Sequence, residues 1–181
     1  VIRTRVGYAG GSKENPTYYD LGLHSETVQI DFDPSRISYQ DLLDIFWRSH
    51  NPTSAPYSIQ YKSIIFYHDE EQKRLAEESK ALEEQSRGRK IQTEIVPFDR
   101  FYLAEDYHQK YYLRARPDLA NELHAVYPDL NDYINSTAVA RLNGYVGGNG
   151  DRETLQRELD SYGLSPQGKQ RLLDLVGSLA Q

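Results

Sequence analysis

No cysteine occurs in the 181 residues, and no methionine. The first absence removes disulfides, thiolate-held zinc or iron–sulfur clusters, and any cysteine nucleophile within this chain. The second leaves Val1 where a translation start would put methionine, and Val1 with Ile2 reads as the inside of a strand, so further upstream sequence is expected. Positive charge is in deficit, 21 basic residues against 27 acidic, and the net charge of −6 argues against a surface built to neutralise phosphates or anionic lipid. Long apolar runs are also missing. Mean hydropathy is −0.74, and nothing approaches the ~20 apolar residues of a spanning helix. No phosphate loop, Gly-x-Ser-x-Gly or Gly-x-Gly-x-x-Gly pattern is present, and the 5 histidines include no pair at i, i+4, which argues against a metal site. The length suits one domain with a core, or one domain plus a small appendage, and argues against two full domains.

What is present reads first as strands. Residues 1–8 put Ile2, Val6 and Tyr8 on one face and stop at Gly10 and Gly11. Residues 24–33 alternate more cleanly, with Val28, Ile30 and Phe32 sharing a face against Gln29, Asp31 and Asp33. Pro34 ends that strand, and Ser38 with Asp41 three residues on predicts a helix start, followed by Tyr39, Leu42, Leu43, Phe46 and Trp47 at helical spacing. A third strand is expected over 59–67, a charged helix from Asp69 to about Arg87, a short strand over 91–96 and an amphipathic helix over 104–115. After Pro117 only helices are expected, over 117–126, 151–162 and 165–180, broken by the Gly-rich stretch 143–150. This predicts an α+β chain: a ferredoxin-like split βαβ sandwich over residues 1–116 lacking its first strand and helix, then a helical C-terminal extension over 117–181 without a second core.

Three residues carry candidate chemistry. Glu26 shares its phase with Val28, Ile30 and Phe32, which turns its carboxyl toward the core side and would favour the protonated, proton-donating form. The competing reading starts the strand at Val28 and leaves Glu26 a solvated end residue. Tyrosine outnumbers phenylalanine 15 to 5, and Tyr18, in the loop before Glu26, and Tyr61, at the start of the third strand, could together hold a substrate oxygen that gains charge. Most tyrosines in such a chain are rim residues with an apolar body and a wet tip. Glu105 and His108 stand at i, i+3, a spacing that could serve a metal, but without a histidine pair His108 reads as a hydrogen-bonding residue that ties its helix down.

Six blocks in order carry a resemblance: residues 5–11 (RVGYAGG), 15–18 (NPTY), 24–28 (HSETV), 37–39 with 46–47 (ISY, FW), 60–63 (QYKS) and 101–109 (FYLAEDYHQ). Together, over residues 1 to about 115, they resemble the peptide methionine sulfoxide reductase A family. The resemblance implies an enzyme reducing methionine S-sulfoxide, free or in oxidised proteins, with Glu26 as proton donor and Tyr18 and Tyr61 bonding the sulfoxide oxygen. The family's nucleophilic thiol belongs to a Gly-Cys-Phe-Trp-Gly segment, expected upstream of Val1. No cofactor or metal is implied beyond an external thiol reductant such as thioredoxin or dithiothreitol, no nucleic-acid or membrane partner, and the cytoplasm is the default location. Two departures stand out: the Gly-Asn-Asp-x-Gly-Thr stretch usual before Gln-Tyr is replaced by residues 53–59 (TSAPYSI), with Pro56 in the aspartate's place, and the tail has no recycling cysteine. A non-catalytic relative that binds methionine sulfoxide or a protein is the alternative.

Overall fold

The alternating segment at the start becomes strand β1 (Arg3–Ala9), and it lies between β2 (Ser25–Asp31) and β5 (Phe101–Leu103) in a three-stranded sheet. These and all later elements come from a computed structural model that describes residues 1–179. β1 and β5 are antiparallel, with Gly7 opposite Leu103 and Tyr8 opposite Tyr102. A Cβ on Gly7 would stand 2.2 Å from the Tyr102 carbonyl oxygen, so the residue is glycine because the neighbouring strand passes that close. A second sheet pairs β3 (Ile64–Tyr67) in parallel with β4 (Glu94–Pro97), Ile65 beside Ile95. Parallel neighbours need a crossover, and helix α2 (Glu70–Arg87) provides it. The chain is α+β, as its patterns imply, with its strands in two small sheets.

Helix α1 (Tyr39–Ser49) starts where Ser38 and Asp41 exchange bonds, Asp41 N–H donating to Ser38 Oγ at 3.1 Å and Ser38 N–H to Asp41 Oδ2 at 2.9 Å. Its buried face, Leu43 and Trp47, packs with Ile65, Ala76 and Ile91 into a core. The Trp47 indole N–H finds Ser79 Oγ at 3.1 Å, which removes the cost of burying it. Asp69 caps α2, and Gly88, in the left-handed region at φ 61°, ends it.

Contacts divide the chain into two units, residues 6–28 with 32–105, and residues 1–5 and 29–31 with 106 onward. The second has a core of its own, which the expectation of a bare extension missed. Its helices are α3 (Tyr111–Arg114), α4 (Pro117–Val126), α5 (Leu130–Asn135), α6 (Thr137–Val146), α7 (Arg152–Glu158) and α8 (Pro166–Leu179). Leu113, Leu119, Leu123, Val139, Leu142, Leu155 and Leu172 from five of these elements are fully buried together. Helices α5 and α6 were not expected: Ser136 ends one and caps the next, and Gly144 sits inside α6 despite its breaker character. The expected helix over 104–115 is instead a 3₁₀ turn (Asp106–His108) and α3, parted by Lys110 at φ 51°. Among the described residues no helix is long and apolar enough to cross a membrane.

Candidate active site

His24, Ser25 and Glu26 do three different jobs in succession. β1 runs out at Ala9, Gly10 turns the chain at φ 88°, and the Gly11 N–H donates to His24 Nδ1 at 3.0 Å. His24 Nε2 meets the Lys13 carbonyl oxygen at 2.8 Å. A donor faces Nδ1 and an acceptor faces Nε2, so the ring carries its proton on Nε2 and ties both ends of the 11–24 loop together. Ser25, also buried, donates to the Ile59 carbonyl at 2.6 Å. That bond draws the chain at 59 against the start of β2, where it winds into a 3₁₀ turn, Ile59–Tyr61, closed by Tyr61 N–H to Ser58 O and Lys62 N–H to Ile59 O. Tyr61 therefore lies on a turn before β3 and not on the strand expected for it.

Glu26 comes next, and Gln60 of the turn donates to its Oε1 at 2.6 Å. Among the described residues Oε2 takes no hydrogen bond. Tyr61 is hydrogen-bonded to Tyr18, and this bond, the Tyr18 phenol and a smaller contribution from the Glu26 carboxylate push the Tyr61 phenol above its ordinary value. Tyr18 meets the Tyr19 ring edge-on at 5.4 Å. Glu105 accepts from the Tyr18 N–H through Oε1 at 3.0 Å and from the Tyr8 hydroxyl through Oε2 at 2.6 Å.

The three residues singled out by sequence thus come together, Tyr61 bonded to Tyr18 and Glu26 bonded to Gln60 beside them, but Glu26 lies on the other side of the strand from the one expected. Glu26 is exposed and Val28 is 56% exposed, while His24 and Ser25 are buried. Alternation identifies which residues share a face, and the more apolar face was taken as the inner one. Here Ser25 turns inward, and His24, just before the strand, is buried as well, because every polar atom they bring is hydrogen-bonded. What the group can do follows from its parts: a carboxyl steadied by an amide, with two phenols beside it, is suited to bind an oxygen and protonate it as charge develops there. Among the described residues no three of His, Asp and Glu gather as a metal site requires.

The family model for peptide methionine sulfoxide reductase matches residues 1–142. A peptide methionine sulfoxide reductase of Drosophila melanogaster is 45% identical over 172 residues, covering 94% of this chain and 69% of that protein. MsrA of Sulfolobus acidocaldarius is 48% identical over 121 residues, 62% of this chain and 69% of that protein. Among solved structures, methionine sulfoxide reductase A of Corynebacterium diphtheriae matches with a TM-score of 0.58 at 31% identity over 65% of each chain. Mxr1 of Saccharomyces cerevisiae in its reduced form gives 0.57, also at 31% identity, over 63% of this chain and 71% of that one. The chain belongs to the peptide methionine sulfoxide reductase family.

The family match runs past residue 116, through α4 and α5 and into α6, so those helices are part of what the family model describes. In this reductase-family chain the segment before Gln60 leaves Tyr57 95% exposed, two residues before the 59–61 turn. Gln60, Ser25, His24 and Glu105 were not singled out for these roles from sequence. Their signal was present in part: each lies inside one of the six blocks, and Ser25 and Gln60 stand directly beside a residue that was.

Proposed function

We propose that this chain binds methionine S-sulfoxide, free or in oxidised proteins, and supports its reduction to methionine by a thiol that comes from outside these 181 residues. Methionine sulfoxide reduction goes with the family; the assignment of roles is our reading. A thiolate attacks the sulfoxide sulfur while Glu26 gives a proton to the sulfoxide oxygen, which Tyr18 and Tyr61 hold by hydrogen bonds. The oxygen passes to the thiol as a sulfenic acid and methionine departs. A second thiol condenses with the sulfenic acid, releasing water and forming a disulfide, and a dithiol reductant of the thioredoxin kind restores both thiols. The cycle consumes two electrons from that reductant and needs no bound cofactor, which suits a reducing compartment such as the cytoplasm.

The observation that carries the reading is the meeting of Glu26, Gln60, Tyr61 and Tyr18 in one group, from two loops and a strand start. Titrating the chain with the S and R epimers of methionine sulfoxide, followed by NMR, tests it. Saturable perturbation of Tyr18, Glu26 and Tyr61 by the S epimer, lost in Tyr18→Phe/Tyr61→Phe, is expected. Equal response to both epimers, or none at these residues, would sink the assignment.

A further inference from the structure

Tyr18 sits in the middle of a 13-residue loop, from 11 to 23, yet its hydroxyl is hydrogen-bonded to that of Tyr61. His24 fixes the loop's ends. Inside it, the Thr17–Asp20 backbone pair and the Lys13–Asp20 ion pair shape the turn but attach it to nothing outside. Arg100 meets Glu14 of the loop at 3.9 Å with both side chains largely exposed, and Glu105 holds the Tyr18 backbone itself. Its Oε1 accepts the Tyr18 backbone N–H at 3.0 Å, and its Oε2 accepts the Tyr8 hydroxyl at 2.6 Å. Tyr8 is almost wholly buried in β1, paired with Tyr102 of β5, and the Ala104 N–H donates to the Val6 carbonyl at 3.0 Å just before Glu105. The carboxylate is therefore mounted at the end of a hydrogen-bonded strand pair, held by a buried phenol on one oxygen, and offers its other oxygen to the loop. Hydrogen bonds to a charged acceptor are about twice as strong as neutral ones.

We propose that Glu105 is a positioning residue of the sulfoxide site: it locks the Tyr18 backbone to β1 and so sets the Tyr18 hydroxyl against that of Tyr61 beside Glu26. Its catalytic consequence rests on the reading of Tyr18 and Tyr61 as the sulfoxide-oxygen site; the positioning itself does not. A carboxylate that merely opened the 106–108 turn would contribute to stability and leave the Tyr18–Tyr61 pair untouched.

The two roles separate in the titration of the Tyr61 phenol, read by NMR of ¹³Cζ-labelled tyrosine in the 181-residue chain. Wild type should titrate above the ordinary tyrosine value, and Tyr18→Phe, which deletes the partner hydroxyl, should return Tyr61 toward it. Glu105→Gln should move Tyr61 in the same direction. Tyr8→Phe keeps the buried ring and loses one tether, so it should move Tyr61 by less. Affinity for methionine S-sulfoxide should fall about 5- to 10-fold in Glu105→Gln, the worth of one disordered hydrogen bond. An unmoved Tyr61 titration in folded Glu105→Gln overturns the proposal. If that variant does not fold, Tyr8→Phe decides in the same way. A moved Tyr61 titration in a chain that binds no sulfoxide even as wild type would leave the positioning role standing and remove the functional reading beneath it.

Discussion

Gln60 and Glu26 lie 34 residues apart and are joined by a 2.6 Å hydrogen bond from the carboxamide to the carboxyl. The bond exists because Ser25, one residue earlier, captures the Ile59 carbonyl, one residue before Gln60. Two adjacent residues of β2 thus take hold of two adjacent residues of the turn. Such double attachment fixes both the distance and the rotation of the turn, which a single bond would leave free, and it carries Tyr61 to its place beside Tyr18.

Replacing the acid isolates its role. In a form of the protein that supplies the nucleophilic thiol, Glu26→Gln keeps the size of the side chain and removes the proton donor. The reduction step should slow by about 10²-fold or more, the scale of lost general acid catalysis. Single-turnover kinetics measures this. Glu26 is exposed, so thermal unfolding should change little. A variant as fast as its parent would make Glu26 a structural partner of Gln60 and nothing more.

The 181 residues alone should turn over no substrate. Attack on a sulfoxide sulfur by this route needs a thiolate, and the chain contains none. Incubation with a methyl sulfoxide and dithiothreitol should proceed at the rate of the reagent blank. Turnover well above the blank would show that another group, or dithiothreitol bound at the Tyr18–Tyr61 pair, replaces the protein thiol.

How far the sequence reached differs between elements for identifiable reasons. The start of α1 was legible because Ser38 and Asp41 are local, and both bonds of the capping box form as their spacing implies. Tyr18, Glu26 and Tyr61 were singled out as candidates through their pattern and the blocks that contain them. The inward face of β2 was not legible, since it depends on what Ser25 finds to bond with, and that partner is the Ile59 carbonyl, far along the chain. Residues 104–115 have a helical apolar pattern, but Lys110 breaks it because its amine is drawn to the Thr4 backbone, 106 residues away. β5, three residues long, is too short to show any period.

Gly11 should tolerate no side chain. A Cβ there would stand 2.5 Å from the His24 backbone nitrogen and 2.7 Å from the Leu23 carbonyl carbon, backbone atoms that move only if the loop end moves. Gly11→Ala should destabilise the fold by about 1–3 kcal/mol, the range for overpacking, and break the bond from Gly11 to His24. Urea unfolding gives the first quantity. The second should appear as altered chemical shifts at His24, Ser25 and Glu26, and a variant of parental stability with unshifted resonances would mean the close approach is not real.

Lys110 should make stability rise with pH in a window where many proteins lose it. The residue is 4% exposed, and its amine donates to the Thr4 carbonyl at 2.5 Å and to Thr4 Oγ1 at 3.2 Å, acceptors that carry no charge. Burial, assisted by the nearby Arg5 guanidinium, lowers its pKa to about 8 from 10.5. Below about 8 the amine is charged in both states, and the folded chain bears the full cost of burying a cation. Above 10.5 it is neutral in both, and that cost is gone. The contribution of this group to stability therefore increases as pH rises from about 8 to 10.5, by up to about 3 kcal/mol. Lys110→Met keeps a side chain of similar length at the same left-handed backbone position, so the strain at φ 51° cancels in the comparison. The variant also leaves Thr4 without its donor, an offset that does not depend on pH. Other titrating groups are common to both proteins and cancel as well. Urea unfolding of both at pH 7, 8, 9 and 10 should show wild type gaining on Lys110→Met across the series, and a difference that stayed flat would mean that the Lys110 amine is not buried as a cation.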